Sequence, residues 1–227
     1  MDLYRKNGII VGVLYIIATV AGAISFTISG PILERPVDLV RILENQGGLR
    51  MAAIFMFIMG LTVAGTAIWA FPVLKKHSEA LALAFVGGRL VEGALYVLGI
   101  VSLLSLVTLS QEFNQAGTAD LMYFQNTATM LLADSDQTFM LGMSVFDIAA
   151  LLFYYLLFQT RLVPRWLSIW GLVGIPLAMI ATLLPASGVY HVESDAISLL
   201  NIPIAVQEMV MAVWLIVKGF DVSGLES

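Results

Sequence analysis

Six stretches of the chain are almost continuously apolar, and each is long enough to cross a membrane as an α-helix. Roughly 20 apolar residues in a helix span the hydrocarbon core of a bilayer. The stretches cover residues 9–28, 51–74, 81–109, 139–158, 166–186 and 197–217. We therefore predict an all-α fold, a polytopic bundle of six transmembrane helices that forms one integral membrane domain over residues 1–227.

Two of the connections between these stretches also show helical spacing. Residues 36–45 begin near a proline and are followed by Gly47-Gly48, and their apolar positions are Leu39, Val40 and Leu43. Residues 118–133 have one polar face and one apolar face, which carries Leu121, Phe124, Ala128 and Leu131. We predict two short external amphipathic helices that pack on the bundle. The alternative is a lid over an outward-facing cavity.

The two halves of the chain resemble each other weakly. The second span begins at Arg50 and the fifth at Arg165, and both end at a proline. Glu92 in the third span and Glu208 in the sixth each precede an apolar stretch. Three spans per half give the halves opposite orientations, as in the inverted repeats of many transporters. This pattern suggests a 3+3 inverted repeat, and chance similarity between apolar helices is the alternative.

The composition excludes several classes of protein. Of the 227 residues, 59% are hydrophobic and 12% are charged, whereas a soluble domain carries about 25% charged residues. A soluble enzyme is therefore excluded. The absence of cysteine excludes disulfides and thiolate metal sites, and the net charge of −5 argues against a nucleic-acid partner. We expect no cofactor and no metal, because the two histidines lie on opposite sides of the predicted membrane.

Basic residues are distributed unevenly between the two ends of the predicted bundle. Seven fall at one end, namely Arg5, Lys6, Lys75, Lys76, Arg161, Arg165 and Lys218. Three fall at the other end, and Arg89 lies within the third span. Because cytoplasmic loops are enriched in Lys and Arg, we predict a cell-membrane protein with both termini in the cytoplasm.

Four ionisable residues lie within predicted spans: Arg89, Glu92, Asp147 and Glu208. Such a residue costs about 2.5–3.5 kcal/mol at the centre of a spanning helix, so it is rarely kept without a role. Arg89 and Glu92 are three residues apart and share a helix face. One arginine against three carboxylates leaves a formal charge of −2, which protons or a cation must neutralise. The structural alternative is an Arg89–Glu92 pair with two protonated carboxyl groups that only link helices.

Polar neighbours extend this candidate centre. Tyr96 follows Glu92 by one turn, Tyr154 shares a face with Asp147, and Asn201 lies two turns before Glu208. Lipid cannot satisfy such groups, so they are expected to face the interior of the bundle. The predicted site for a substrate, proton or cation comprises Arg89, Glu92, Asp147, Glu208, Tyr96, Tyr154 and Asn201.

Four motifs follow one another along nearly the whole chain. They are RKNG at 5–8, RLVE at 89–92, VPRWLSIWG at 163–171 and EMVMAVWLIVKGF at 208–220. Their order and spacing resemble the prokaryotic membrane family called domain of unknown function 4386. The resemblance implies a small multi-pass bundle and assigns no activity, cofactor or site residue.

Three hypotheses for function follow from these patterns. The first is a proton- or cation-linked carrier or binding protein for a small molecule, which uses the intramembrane carboxylates. The second is a structural or sensory membrane partner without a substrate. The third is an intramembrane enzyme that acts on a lipid, and the shortage of His and Cys weighs against it. The lipid bilayer is the one partner that the sequence requires, and no oligomeric state is assigned.

The distribution of basic residues predicts the orientation of the chain. A reporter that functions only in the cytoplasm should give signal when it is fused after Ser227 and none when it is inserted near Gln125, because the two positions lie on opposite sides of the membrane. The measurement is reporter activity in intact cells at matched expression. The reverse pattern would contradict the six-span arrangement with cytoplasmic termini.

Overall fold

The computed structural model describes residues 3–116, 120–186 and 195–221. Regular secondary structure within these ranges is entirely helical, in agreement with the predicted fold class. The helices are α1 Leu3–Ser29, α2 Leu39–Glu44, α3 Gln46–Leu74, α4 Glu79–Ala116, α5 Leu121–Thr160, α6 Arg165–Ala186 and α7 Asp195–Val217. All except α2 are long and apolar enough to cross a membrane. These six helices contain the six predicted spans.

The six long helices form a closed ring in chain order, in which α1 packs on α3, each later helix packs on the next, and α7 returns to α1. Neighbouring helices are antiparallel. Arg89 in the first half of α4 contacts Val63 in the second half of α3, and Gly12 near the start of α1 lies against Ala212 near the end of α7. The seven basic residues of the sequence analysis therefore lie at one end of the ring, which we call the basic end. The opposite end is called the far end.

The 3+3 inverted repeat of the sequence analysis stays a prediction. The corresponding helices of the two halves run in opposite directions, as such a repeat requires. All six long helices follow one another in chain order around the ring.

The predicted amphipathic segment 118–133 is not a separate helix. From Leu121 it is continuous with the fourth span, and the two form the 40-residue helix α5. No glycine or proline occurs between residues 121 and 141, so nothing in the sequence breaks the helix there. The predicted apolar face is nevertheless used, since Phe124 and Ala128 are buried in a core shared with α4.

The other predicted amphipathic segment, residues 36–45, does contain a short helix, α2. Its first turn is capped by Asp38, whose carboxylate accepts hydrogen bonds from the backbone of Val40 (2.9 Å) and of Arg41 (3.2 Å). Leu39 and Ile42 of α2 are fully buried against the outer part of the bundle. The helix α2 therefore packs on the bundle, which was the first role predicted for this segment.

Helices α4 and α5 extend well beyond a bilayer. They contain 38 and 40 residues, which corresponds to roughly 57 and 60 Å at about 1.5 Å per residue, against a hydrocarbon core of about 30 Å. Their extensions reach past the far end and bury a second apolar core there. That core includes Leu39, Ile42, Leu106, Phe124 and Leu132. This core joins α2 to the far-end parts of α3, α4 and α5.

Close approach of α3 to α4 depends on a pair of glycines, and this generates a stability prediction. A Cβ added at Gly93 would lie 2.7 Å from the Gly60 carbonyl oxygen, whereas a Cβ at Gly87 of the same helix meets nothing within 4 Å. Gly93→Ala should destabilise the protein by about 1–3 kcal/mol, the usual cost of overpacking. Gly87→Ala should be neutral or slightly stabilising, because alanine favours helix more than glycine does. Thermal unfolding in detergent measures both, and equal effects would contradict the close packing of α3 on α4.

Candidate functional site

The four intramembrane ionisable residues lie at similar depths in the ring. Arg89 lies ten residues after the start of α4 at Glu79, Asp147 thirteen before the end of α5 at Thr160, and Glu208 nine before the end of α7 at Val217. At about 1.5 Å per residue, these positions are roughly 14–20 Å from the basic end. Antiparallel packing therefore places residues from three helices in one layer, about half-way across a bilayer.

Arg89 is buried in this layer and touches three helices. Its Nη1 lies 2.9 Å from Oε2 of Glu92, and its Nε donates to the carbonyl oxygen of Val63 on α3 at 3.4 Å. The guanidinium carbon lies 5.1 Å from the ring centre of Phe146 on α5, at the distance of a cation–π interaction. Arg89 thus joins α3, α4 and α5 through a single side chain.

Glu92 completes an ion pair with Arg89 and also binds Tyr96. Its second oxygen, Oε1, accepts a hydrogen bond from the Tyr96 hydroxyl at 3.1 Å. That hydroxyl also lies 3.4 Å from the sulfur of Met143 on α5. Arg89 and Glu92 are each 2% exposed, so this is a desolvated pair. Arg89, Glu92 and Tyr96 therefore lie along one face of α4, each about one turn from the next.

Asp147 binds α6 rather than the arginine. Its Oδ2 accepts a hydrogen bond from the Thr182 hydroxyl at 3.0 Å, and the same hydroxyl lies 3.0 Å from the Ala178 carbonyl oxygen. A hydroxyl has one proton, so Thr182 donates either to Asp147 or to Ala178. When it donates to Ala178, the contact with Asp147 is a hydrogen bond only if Asp147 is protonated and donates to Thr182. Oδ1 of Asp147 has no hydrogen-bonding partner among the described residues. This carboxyl group can therefore hold a proton without rearrangement of its neighbours.

Glu208 and Gln207 are adjacent on α7 but differ in their contacts. Gln207 is fully buried, accepts from the Tyr154 hydroxyl at 2.6 Å and donates to the Leu167 carbonyl oxygen at 3.0 Å. Glu208 is partly exposed and has no hydrogen bond to a described residue. It lies one residue from buried Gln207 and at a depth similar to that of Arg89 and Asp147. The polar layer therefore includes one carboxyl group that receives no hydrogen bond from the described residues.

The remaining predicted site residues are distributed around this layer. Tyr154 shares α5 with Asp147 but binds Gln207 instead. Asn201 is partly buried, and its Oδ1 has no partner among the described residues. The structure thus places five predicted residues in three local clusters, Arg89–Glu92–Tyr96, Asp147–Thr182 and Tyr154–Gln207. Glu208 and Asn201 form no hydrogen bond that joins them to these clusters in the described part of the chain.

An aromatic layer lies next to this centre on its far-end side. Phe139 stacks on Tyr96 at 5.3 Å between ring centres and meets the edge of Phe26 at 5.0 Å. A pocket of about 40 Å³ lies next to this layer and is lined by Met56, Tyr96, Gly99, Ile100, Leu103, Ser135 and Phe139. The Tyr96 ring therefore packs in the aromatic layer, while its hydroxyl binds Glu92 in the ionic centre.

A family model described as Domain of unknown function (DUF4386) matches residues 10–219. The chain belongs to this family. The match covers nearly the whole ring and all seven predicted site residues. Comparison with curated proteins and with solved structures finds no match. Membership of the DUF4386 family confirms the resemblance seen in the sequence.

The sequence analysis did not include two residues of this polar centre among the predicted site residues. Gln207 forms the link from α7 to α5 and α6, and Thr182 provides the hydroxyl that binds Asp147. An amide and a hydroxyl inside apolar spans are weak signals, because neither needs a counter-charge. Only the packing of α5, α6 and α7 shows that both are fully or almost fully buried and bonded.

The Arg89–Glu92 pair of this DUF4386 protein generates a stability prediction. Arg89→Met leaves a buried carboxylate without its partner and should cost about 3–5 kcal/mol at pH 8. Adding Glu92→Gln should recover part of this loss, because the double variant buries no charge at either position. Unfolding in detergent of the wild type, both single variants and the double variant gives the coupling energy.

Lys75→Met is the matched control, since Lys75 is an exposed cation at the basic end. It should change stability by less than about 0.5 kcal/mol. Additive effects of Arg89→Met and Glu92→Gln would contradict the pairing.

Proposed function

We propose that the protein is a proton- or cation-linked carrier or binding protein for a small molecule. The observation that supports this proposal is the excess of carboxyl groups over basic side chains in one buried layer. Glu92 is paired with Arg89, whereas Asp147 and Glu208 have no ion-pairing partner among the described residues. Two carboxyl groups therefore remain to be neutralised in a region of low dielectric constant.

Neutralisation of these two groups requires an ion from outside the protein. An isolated carboxylate in an apolar interior is so unfavourable that the group takes up a proton or pairs with a cation. Uptake and release of that ion would change the charge of the centre. A centre whose charge depends on a bound ion is the basis of ion-linked transport in a membrane protein.

The geometry supports a route between this centre and the basic end. Gln207 and Tyr154 lie on the basic-end side of Asp147, and buried Asn7 and Ser168 carry polar atoms without partners in the described part of the chain. Buried polar atoms of this kind are commonly satisfied by water. The basic end would face the cytoplasm of a cell-membrane protein, so ions would reach the centre from the cytoplasmic side.

A structural or sensory role without a substrate is the second candidate, and one observation favours it. Arg89, Glu92 and Asp147 are at most 2% exposed, and the ring interior beside them is filled by large side chains such as Phe85 stacked on Phe153 at 4.4 Å. A dry interior of this kind would keep its carboxyl groups protonated permanently. The two candidates therefore differ in whether the carboxyl groups exchange their ions.

Reactivity with a hydrophobic carbodiimide tests this difference, because the reagent modifies accessible protonated carboxyl groups in membranes. We expect the wild type in detergent to be labelled at Glu208 at pH 6 and less at pH 9, as protonation is lost. Protection by added Na⁺ at constant pH would assign a cation, and dependence on pH alone would assign a proton. Peptide mass spectrometry measures the site and the extent of labelling.

Three variants provide the controls for this experiment. Glu208→Gln mimics the protonated acid, so it should fold and lose the label, whereas Glu208→Ala should be less stable because it leaves a gap. Glu79→Gln removes an exposed carboxylate at the basic end and should leave labelling of Glu208 unchanged. Wild-type protein that is labelled at neither Glu208 nor Asp147 would overturn the carrier proposal in favour of the structural role. Labelling that is equal at pH 6 and pH 9 and unaffected by Na⁺ would do the same, because it indicates permanently protonated carboxyl groups.

A further inference from the structure

Three tryptophans cluster where α6 begins and α7 ends, at the basic end of the ring. The Trp166 ring centre lies 6.4 Å from that of Trp170 and 6.5 Å from that of Trp214. Trp166 is 51% exposed, so its indole faces the surroundings of the ring. We call Trp166, Trp170 and Trp214 the tryptophan corner. Tryptophan is enriched where a protein crosses the boundary between hydrocarbon and headgroups.

Two exposed cations flank the tryptophan corner. Arg165 immediately precedes Trp166, and its guanidinium carbon lies 5.5 Å from the ring centre of Phe158. Lys218 follows Trp214 by one helical turn and therefore extends from the same side of α7. Neither cation forms an ion pair with a described residue. At the far end, by contrast, Arg35 pairs with Asp136 and Arg41 with Glu34.

The tryptophan corner thus combines an exposed indole with two exposed cations that pair with no described carboxylate. We propose that the tryptophan corner, with Arg165 and Lys218, binds an anionic phospholipid. The two cations hold its phosphate, and the indoles lie at the level of its glycerol backbone. Basic clusters at the membrane surface attract anionic lipids in this way. The proposal does not depend on the proposed function of the ionic centre.

The surface next to the corner favours a lipid over free phosphate. One and two turns further along the outer face of α6, Ile169 and Val173 are 47% and 59% exposed. Val213, next to Trp214 on α7, is 54% exposed. These apolar side chains continue from the corner towards the middle of the membrane. An acyl chain can lie along them, whereas inorganic phosphate gains nothing from this surface.

Native mass spectrometry of the purified full-length protein tests the proposal. Dioleoyl phosphatidylglycerol, dioleoyl phosphatidylcholine and inorganic phosphate are added separately to the protein in detergent. We expect phosphatidylglycerol to be retained at least about tenfold more strongly than phosphatidylcholine, and phosphate to be lost. Arg165→Gln/Lys218→Gln should abolish this preference, and Trp166→Ala should weaken the retention of phosphatidylglycerol.

Matched controls make the result specific to the corner. Arg50→Gln removes an exposed cation at the far end, and Trp69→Ala removes an exposed indole on α3. Both should keep the preference for phosphatidylglycerol, and thermal unfolding shows that every variant is folded. Equal retention of the two lipids by the wild type would overturn the proposal. The proposal would also be overturned if Arg50→Gln lost the preference as fully as Arg165→Gln/Lys218→Gln does. Retention of phosphate without retention of either lipid would overturn it as well.

Discussion

The ion pair between Arg89 and Glu92 is the interaction on which the centre of the ring depends. Both side chains are 3% exposed, and neither charge is tolerable alone in an environment that excludes water. The pair therefore requires that α3 supply the Val63 carbonyl group, that α5 supply the Phe146 ring and that Tyr96 bind the carboxylate from its own helix. The contacts with Val63 and Phe146 constrain the rotations of α3 and α5 relative to α4. The pair thus links three helices in one place.

The side chains that surround the ionic layer differ between its two sides. The basic end has exposed cations, followed by the Tyr154–Gln207 link and the ionic layer. Beyond Glu92 come the aromatic layer of Tyr96 and Phe139 and then the apolar core shared by α2, α4 and α5. The ionic layer therefore has the Tyr154–Gln207 link on its basic-end side and apolar packing of α2, α4 and α5 on its far-end side.

Different parts of the structure were predicted from different kinds of sequence information. The positions of the spans followed from apolar runs, because a helix in lipid must satisfy its own backbone and cover it with apolar side chains. The Arg89–Glu92 pair followed from a spacing of three residues within one helix. The inverted repeat stays a prediction, because similar apolar helices carry almost no information about which neighbours they pack against. The separate helix at 118–133 was wrong, since amphipathic and apolar segments can join without a break when no glycine or proline separates them.

The sequence by itself determined the membrane class, the six spanning helices, the asymmetry of basic residues and the identity of the intramembrane charges. All of these depend on local composition or on contacts within one helix. Only the tertiary structure decided that Asp147 binds Thr182, that Gln207 rather than Glu208 links α7 to α5, and that the helices close into a ring in chain order. These features depend on the rotation of each helix and on its neighbours. Side-chain packing between helices sets both, and a single sequence does not encode that packing in any periodic pattern.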